Sequence, residues 1–354
     1  MEKFFWPLRI EQYEDLIGPA AVERIMLKAK RLHDLRVVNI SSTFYGGGVA
    51  EILSSLTLAQ RAIGIRADWR LIQGSPDFFS VTKKLHNALQ GADIDLTDLK
   101  RHHYEQIVFH NALRMDVDAD LVVVHDPQPL PLVTHFRHSC PWVWRCHVDL
   151  SRPNSRAWDY LRGFIEQYDA VIMSLPEYEQ ALQVPQIFFM PAIDPFSIKN
   201  RELNEAEIDE RLAHYGVPAD LPIVAQISRF DRWKDPQGVI EAFRLARKEV
   251  DATLVLLGNV ATDDPEGQQV FESLLECKEE RILILTVEQA AQRMVQLLKD
   301  EGLRRRLGEA ARESVRANFL MSRLVEQYLD LFAAFEPRFS LRPQNNLPGS
   351  HSES

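Results

Sequence analysis

Cysteine is scarce: Cys140, Cys146 and Cys277 are the only three among 354 residues. Three thiols cannot build a disulfide framework, which points to a reducing compartment and hence to the cytoplasm. Positive charge is also short, with 41 Lys and Arg against 51 Asp and Glu and a formal net charge of −10. That balance argues against general nucleic-acid binding, which needs a basic face, while leaving room for a local basic pocket around a small anion. No apolar run approaches the length that spans a bilayer. The opening "MEKFFWPLRIEQYEDL" carries charges where a signal peptide has its apolar core. Internal repeats are absent. His138, Cys140, Cys146 and His147 lie close in sequence but lack the paired Cys-x-x-Cys spacing of structural zinc sites, so no metal is expected.

What is present is an alternation. Short β-branched runs ("RVVNI", "ADWRLI", "LVVVH", "WVWRCH", "AVIMS", "QIFFMP") are separated by segments of helical period such as "VTKKLHNALQG" and "YEQIVFHNALRM". This is the pattern of a parallel α/β sheet. After "MPAIDPFSIKNRELNEAE" the composition turns acidic. A second series then follows: "PIVAQIS", "PQGVIEAFRLARKE", "TLVLLG", "PEGQQVFESLLE" and "RILILT". The reading is α/β throughout, with two doubly wound, Rossmann-like domains facing a cleft. Ligands of such sheets bind at the carboxyl ends of the strands. The expected divisions are residues 1–195, 196–320, a closing helix over 321–336, and a disordered polar tail over 337–354.

The loops after the strands therefore carry the candidates. "STFYGGGVAE" places Gly46, Gly47 and Gly48 between a strand and a helix. Backbone without Cβ atoms can approach a ligand, and the helix points free N–H groups at the same place. A bare turn is the other reading. Neither a dinucleotide fingerprint nor a Walker loop is present. "HDPQP" presents Asp126 and Gln128, either to ligand hydroxyls or, for Asp126, to a turn before Pro. "WRCHVDL" puts Arg145, His147 and Asp149 on one side of an extended segment, where they bind a polar ligand or hold a loop. "SRFDRWKDP" brings Arg229 and Lys234 within a loop's width beside a helix start, so both can converge on a diphosphate; solvated surface charge is the other reading. The triple Arg304–Arg306 lies opposite an apolar stripe of Leu303, Leu307, Ala310, Ala311 and Val315 and reads as a solvated face.

These stretches together resemble trehalose synthases and trehalose phosphorylases, retaining GT-B glycosyltransferases of the group-1 (family 4) type. The resemblance rests on "STFYGGGVAEIL", "FFSVTKKLHNALQG", "VVVHDPQPLPL", "WVWRCHVDLSRPN", "PAIDPFSIKN", "QISRFDRWKDPQGVIEAFRLARKE" and "LGNVATDDPEG", and on "ANFLMSRLVEQYLDLF" for a closing helix. It implies transfer of glucose from a nucleotide-glucose (UDP-, ADP- or GDP-glucose) to glucose with retention, or reversible trehalose phosphorolysis. By resemblance, Gly46–Gly48 approach the reacting phosphate and acceptor, Asp126 and His147 contact the sugars, and Arg229 and Lys234 hold the leaving phosphate. Gln128, Arg145 and Asp149 complete the substrate-binding set. No tightly bound cofactor is implied, and an accompanying Mg ion has no motif here. The implied partners are small sugars and nucleotide-sugars, with a homodimer left open.

One block of the family pattern is missing. After "RILILT" the family continues with further strands, a glycine-rich turn and a Glu–seven residues–Glu motif. Here "VEQAAQRMVQLLKDEGLRRRLGE" follows at once. Glu301 and Glu309 have the spacing without the Phe-Gly turn, inside a helical pattern, so the donor glutamates are assigned to no residue. The expectation is a poorly formed or rearranged second domain. The rival reading is a catalytically inactive sugar- or phosphate-binding remnant, or a partner-dependent subunit.

Overall fold

A computed structural model of the chain describes residues 9–45, 47–136, 140–218, 220–228, 234–257 and 294–339. Gly46, Arg229, "RILILT" and the tail beyond Phe339 lie outside the described residues. The first unit is a six-stranded parallel sheet in the order β2-β1-β3-β4-β5-β6. Its strands are β1 (Arg36–Ser41), β2 (Arg66–Leu71), β3 (Leu121–His125), β4 (Trp142–Arg145), β5 (Ala170–Met173) and β6 (Gln186–Phe188). The apolar runs are continuous because both faces are covered. Val37, Val123 and Val143 enter one core, whereas Val38, Val122, Val124 and Trp144 enter the other. That division is the two-residue period of a strand.

Helices α1 (Glu14–Ile17), α2 (Pro19–Arg31) and α3 (Gly48–Ala62) lie on the first face, and α4 (Pro76–Leu89), α5 (Asp98–Ala112) and α6 (Ser155–Ile165) on the second. Ser75, Thr97 and Asn154 cap the last three, each accepting from a main-chain N–H of the first turn.

The chain then leaves through residues 189–204 to α7 (Glu205–His214), β7 (Ile223–Ile227), α8 (Pro236–Ala246) and β8 (Thr253–Leu257). Among the described residues the second sheet has two strands, β7 and β8, covered on one face by α8 through Val239, Ile240 and Phe243. Their other face leaves Ile223, Ile227 and Leu257 exposed. Helix α9 (Glu301–Asn318) contains no buried residue, and Leu307 is half exposed. Arg304–Arg306 are solvated; in the apolar stripe opposite them Leu303 and Val315 are only partly covered, and Leu307, Ala310 and Ala311 are exposed. Glu301 and Glu309 are both exposed on this helix.

The return crossing is tight. Ile193 bridges Leu320, with Ile193 N–H donating to Phe319 O at 2.7 Å and Met321 N–H to Ile193 O at 2.9 Å. Helix α10 (Met321–Phe339) then packs on the first unit: Leu324, Val325, Tyr328, Leu329 and Phe332 join the core of α2 and α3. Arg24 forks onto Glu326, and Lys28 reaches Glu326 and Asp330. These exposed pairs add little beside the buried apolar contacts.

Candidate functional site at the carboxyl ends of the strands

β1 and β3 end side by side, and the polar residues that terminate them face one place. Ser41, Thr43, Gly47, Gly48, His125, Asp126 and Gln128 line a partly enclosed cavity of about 90 Å³, together with Lys83 and His86 from α4. Asp126 has a left-handed backbone, φ 63°. Asp tolerates this conformation better than most residues, and the bonds around it hold it there. Its N–H donates to Arg145 O at 2.9 Å, Trp144 Nε1–H donates to its carbonyl at 3.0 Å, and its Oδ1 accepts from the His147 N–H at 2.8 Å. Gln128 is 8% exposed, and its Oε1 has no hydrogen-bond partner among the described residues. An orphaned acceptor in a cavity wall is satisfied only by something that enters the cavity.

Gly47 and Gly48 do not owe their identity to strain. Gly47 is extended (φ −162°), and neither glycine has a left-handed backbone. A Cβ built on either would meet no atom within 4 Å. The protein leaves that space open at the amino end of α3.

Two histidines support the floor of the site. His125 is 1% exposed; its Nδ1 lies 3.0 Å from His147 Nε2, and its Nε2 lies 3.1 Å from Asn39 Oδ1. The rings stack at 5.3 Å. Burial, with the Arg145 charge beneath, pushes His125 down to about 3 and His147 well below the usual imidazole range. Both rings are neutral at neutral pH.

Arg145 does not reach the cavity. Its guanidinium is buried under the sheet ends and donates to Met173 O at 2.7 Å and Phe189 O at 2.6 Å. β4 stops at Arg145, so the extended alternation fails beyond it. Asp149 is exposed and its Oδ1 accepts from Ser151 N–H at 2.8 Å, closing a turn away from the cavity. Asn39, Lys83 and His86 were not singled out in the sequence. Asn39 interrupts an apolar strand. Lys83 lies one helical turn from Phe79 and Asn87, at the border of the buried stripe, which is a weak signal.

Above the cavity, the two sheets turn their carboxyl ends onto a cleft of about 1190 Å³. The first unit contributes Phe44, Tyr45, Gly47, Gly48 and Glu51, and the second contributes Gln226, Ser228, Lys234 and Leu257. Lys234 is exposed just before α8, and Gln226 Nε2–H donates to its carbonyl at 2.8 Å. Asp235 caps α8 from a left-handed backbone, with Gly238 N–H donating to its Oδ1 at 3.2 Å. No group of three His, Cys, Asp or Glu side chains among the described residues is placed to hold a metal ion. No helix among them is long and apolar enough to cross a membrane.

Two parallel α/β units with strand ends opposed across a cleft form the GT-B arrangement of glycosyltransferases. A sucrose-phosphate synthase from Thermosynechococcus elongatus shares the fold, with a TM-score of 0.58 at 14% identity, covering 85% of this chain and 100% of that one. Residues 39–180 match the family model described as trehalose synthase, N-terminal domain. A trehalose synthase of Rubrobacter xylanophilus is 34% identical over 401 residues, covering 92% of this chain and 96% of that protein. The chain belongs to the trehalose synthase family. A second relative, a trehalose synthase of Thermococcus litoralis, is 43% identical over 272 residues; the match takes in 75% of this chain and spans 66% of that relative's length.

Proposed function

We propose that the chain is a glucosyltransferase that moves glucose from a nucleotide-glucose to glucose, with retention, to form trehalose. The observation that carries this reading is the cavity under the cleft. It combines an orphaned acceptor on Gln128, the Asp126 carboxylate and open space over Gly47 and Gly48. Acceptors suit the O–H donors of a sugar. The helix amino end suits a phosphate. In this reading Asp126 and His147 contact the sugars, and Arg229 and Lys234 hold the leaving diphosphate and offset its charge. Arg145 acts from below, by fixing the ends of β5 and β6. The chemistry needs no carboxylate nucleophile: the leaving phosphate assists front-face attack, and the protein supplies position and field.

The test mixes purified chain, each nucleotide-glucose and glucose, and follows nucleotide release and disaccharide together. Coupled release of both supports the reading, and their absence sinks it for this chain. A parallel mixture of trehalose and inorganic phosphate tests the phosphorolytic direction.

A second reading is favoured by α9 and β7–β8. Among the described residues, an amphipathic 18-residue helix with no buried residue and a two-stranded sheet with three exposed apolar side chains fit a second unit lacking part of its sheet. The 401-position alignment to the Rubrobacter relative is longer than the 354-residue chain itself, which supports an internal shortfall. On this reading the chain binds sugar or phosphate without turnover. Binding of nucleotide-glucose by calorimetry with no disaccharide formed separates it from the first.

A further inference from the structure

The geometry gives the hydrogen bonds of Asn39, His125 and His147 a direction. Asn39 Nδ2 faces the Asp68 carbonyl at 3.4 Å, which orients the amide and leaves Oδ1 toward His125 Nε2, 3.1 Å away. An amide oxygen only accepts, so His125 carries its proton on Nε2. A neutral His125 then has a bare Nδ1. The contact to His147 Nε2 at 3.0 Å requires that His147 donate, so His147 also carries its proton on Nε2. The opposite direction needs a doubly protonated His125, an imidazolium enclosed beside the buried Arg145 guanidinium, and burial opposes that charge.

The consequence reaches the surface. His147 is partly exposed, and its Nδ1 takes no hydrogen bond from any described residue. Its main-chain N–H meanwhile holds Asp126 Oδ1. We propose that Asn39, buried on β1, is a positioning residue that sets the tautomer of His125 and, through it, that of His147. His147 Nδ1 is thereby presented as an obligate hydrogen-bond acceptor for a ligand hydroxyl. Asp126 and the orphaned Gln128 Oε1 line the cavity, and His147 Nδ1, on the residue whose N–H holds Asp126, adds a third acceptor that selects for O–H donors. A donor-free group such as a fluorine or an ether oxygen is rejected there. The tautomer claim stands on the protein alone; the ligand claim rests on the sugar-binding reading above.

The experiment uses the full chain labelled with ¹⁵N-histidine and long-range ¹H–¹⁵N spectra at pH 7, with His125→Gln and His147→Gln giving the assignments. Both rings are expected to show a protonated Nε2 and a bare Nδ1. In Asn39→Leu that single tautomer is expected to be lost at His125, and Asn39→Asp, which restores an acceptor, is expected to recover it. A protonated Nδ1 on His125 in the native chain overturns the proposal, as does an Asn39→Leu spectrum with both tautomers unchanged. If Asn39→Leu does not fold, the native spectrum and Asn39→Asp still decide. The ligand arm titrates glucose, its monodeoxy and its monofluoro-deoxy analogues. At one ring position the deoxy and fluoro compounds should bind equally weakly, about fivefold to tenfold below glucose, with the difference reduced in Asn39→Leu. Fluoro compounds that bind as glucose does at every position overturn the acceptor assignment. A chain with the expected tautomers that binds no glucose refutes the sugar-binding reading and leaves the tautomer relay standing.

Discussion

Gly48 opens α3 with no left-handed backbone and no neighbour that a methyl group would touch. Helix energetics alone therefore favour Ala at this position by up to about 1 kcal/mol. Gly48→Ala is expected to hold or raise the melting temperature while weakening nucleotide-glucose binding at least tenfold; unchanged binding would show that the open space serves no ligand. Gln128 carries the complementary case. Its orphaned Oε1 is a burial cost of about 1–3 kcal/mol with nothing bound. Gln128→Met keeps the length of the side chain, should stabilise the free protein in urea unfolding, and should lose about tenfold in glucose affinity. A destabilised variant that binds normally would make Gln128 structural. Asp126 and Gln128 were legible in "HDPQP" because prolines and polar residues end a buried strand there. Asn39 was not, because a lone polar residue in "RVVNI" does not reveal that His125 of β3, stacked on His147, lies beside it.

At the scale of the element, α10 decides how the molecule is wired. It follows the second unit in sequence and packs with the first, burying Val325 and Phe332 completely. Phe332→Ala should cost about 3–5 kcal/mol, read as a shift of the unfolding transition followed by the tryptophan signal, to which Trp69, Trp142, Trp144 and Trp158 of the first unit contribute. A shift under 1 kcal/mol would mean that α10 is not part of that core. The helical period of "ANFLMSRLVEQYLDLF" made the helix legible; its place against α2 and α3 depends on the crossing at Ile193 and Leu320, which lie 127 positions apart. The extended reading of "WRCHVDL" failed for a related reason. Arg145 is drawn inward to donate to the main-chain carbonyls of Met173 and Phe189, and β4 ends there instead of continuing to alternate.

For the whole molecule, the neutral histidines couple folding to pH. The unfolded chain takes up protons near pH 6.5, whereas native His125 resists one down to about 3 and His147 is lowered in the same sense. Stability is therefore fully present above 6.5 and falls on acidification below it. The loss approaches about 2 kcal/mol for His125 between pH 7 and 5, and His147 adds to it in the same direction. Urea midpoints at pH 7, 6 and 5 measure it, and a flat profile would contradict the neutral pair. The sequence by itself determined the alternation of strands and helices, the first unit's both-faces-buried sheet and the loops in which the polar residues gather. Those follow from periodicity and from chain neighbours, which are local. Only the tertiary structure decided which polar side chains share a cavity, that Arg145 supports the site from beneath instead of lining it, and that the apolar stripe of α9 is nowhere fully buried among the described residues. These outcomes depend on contacts between distant segments, and side-chain period carries no record of what lies opposite.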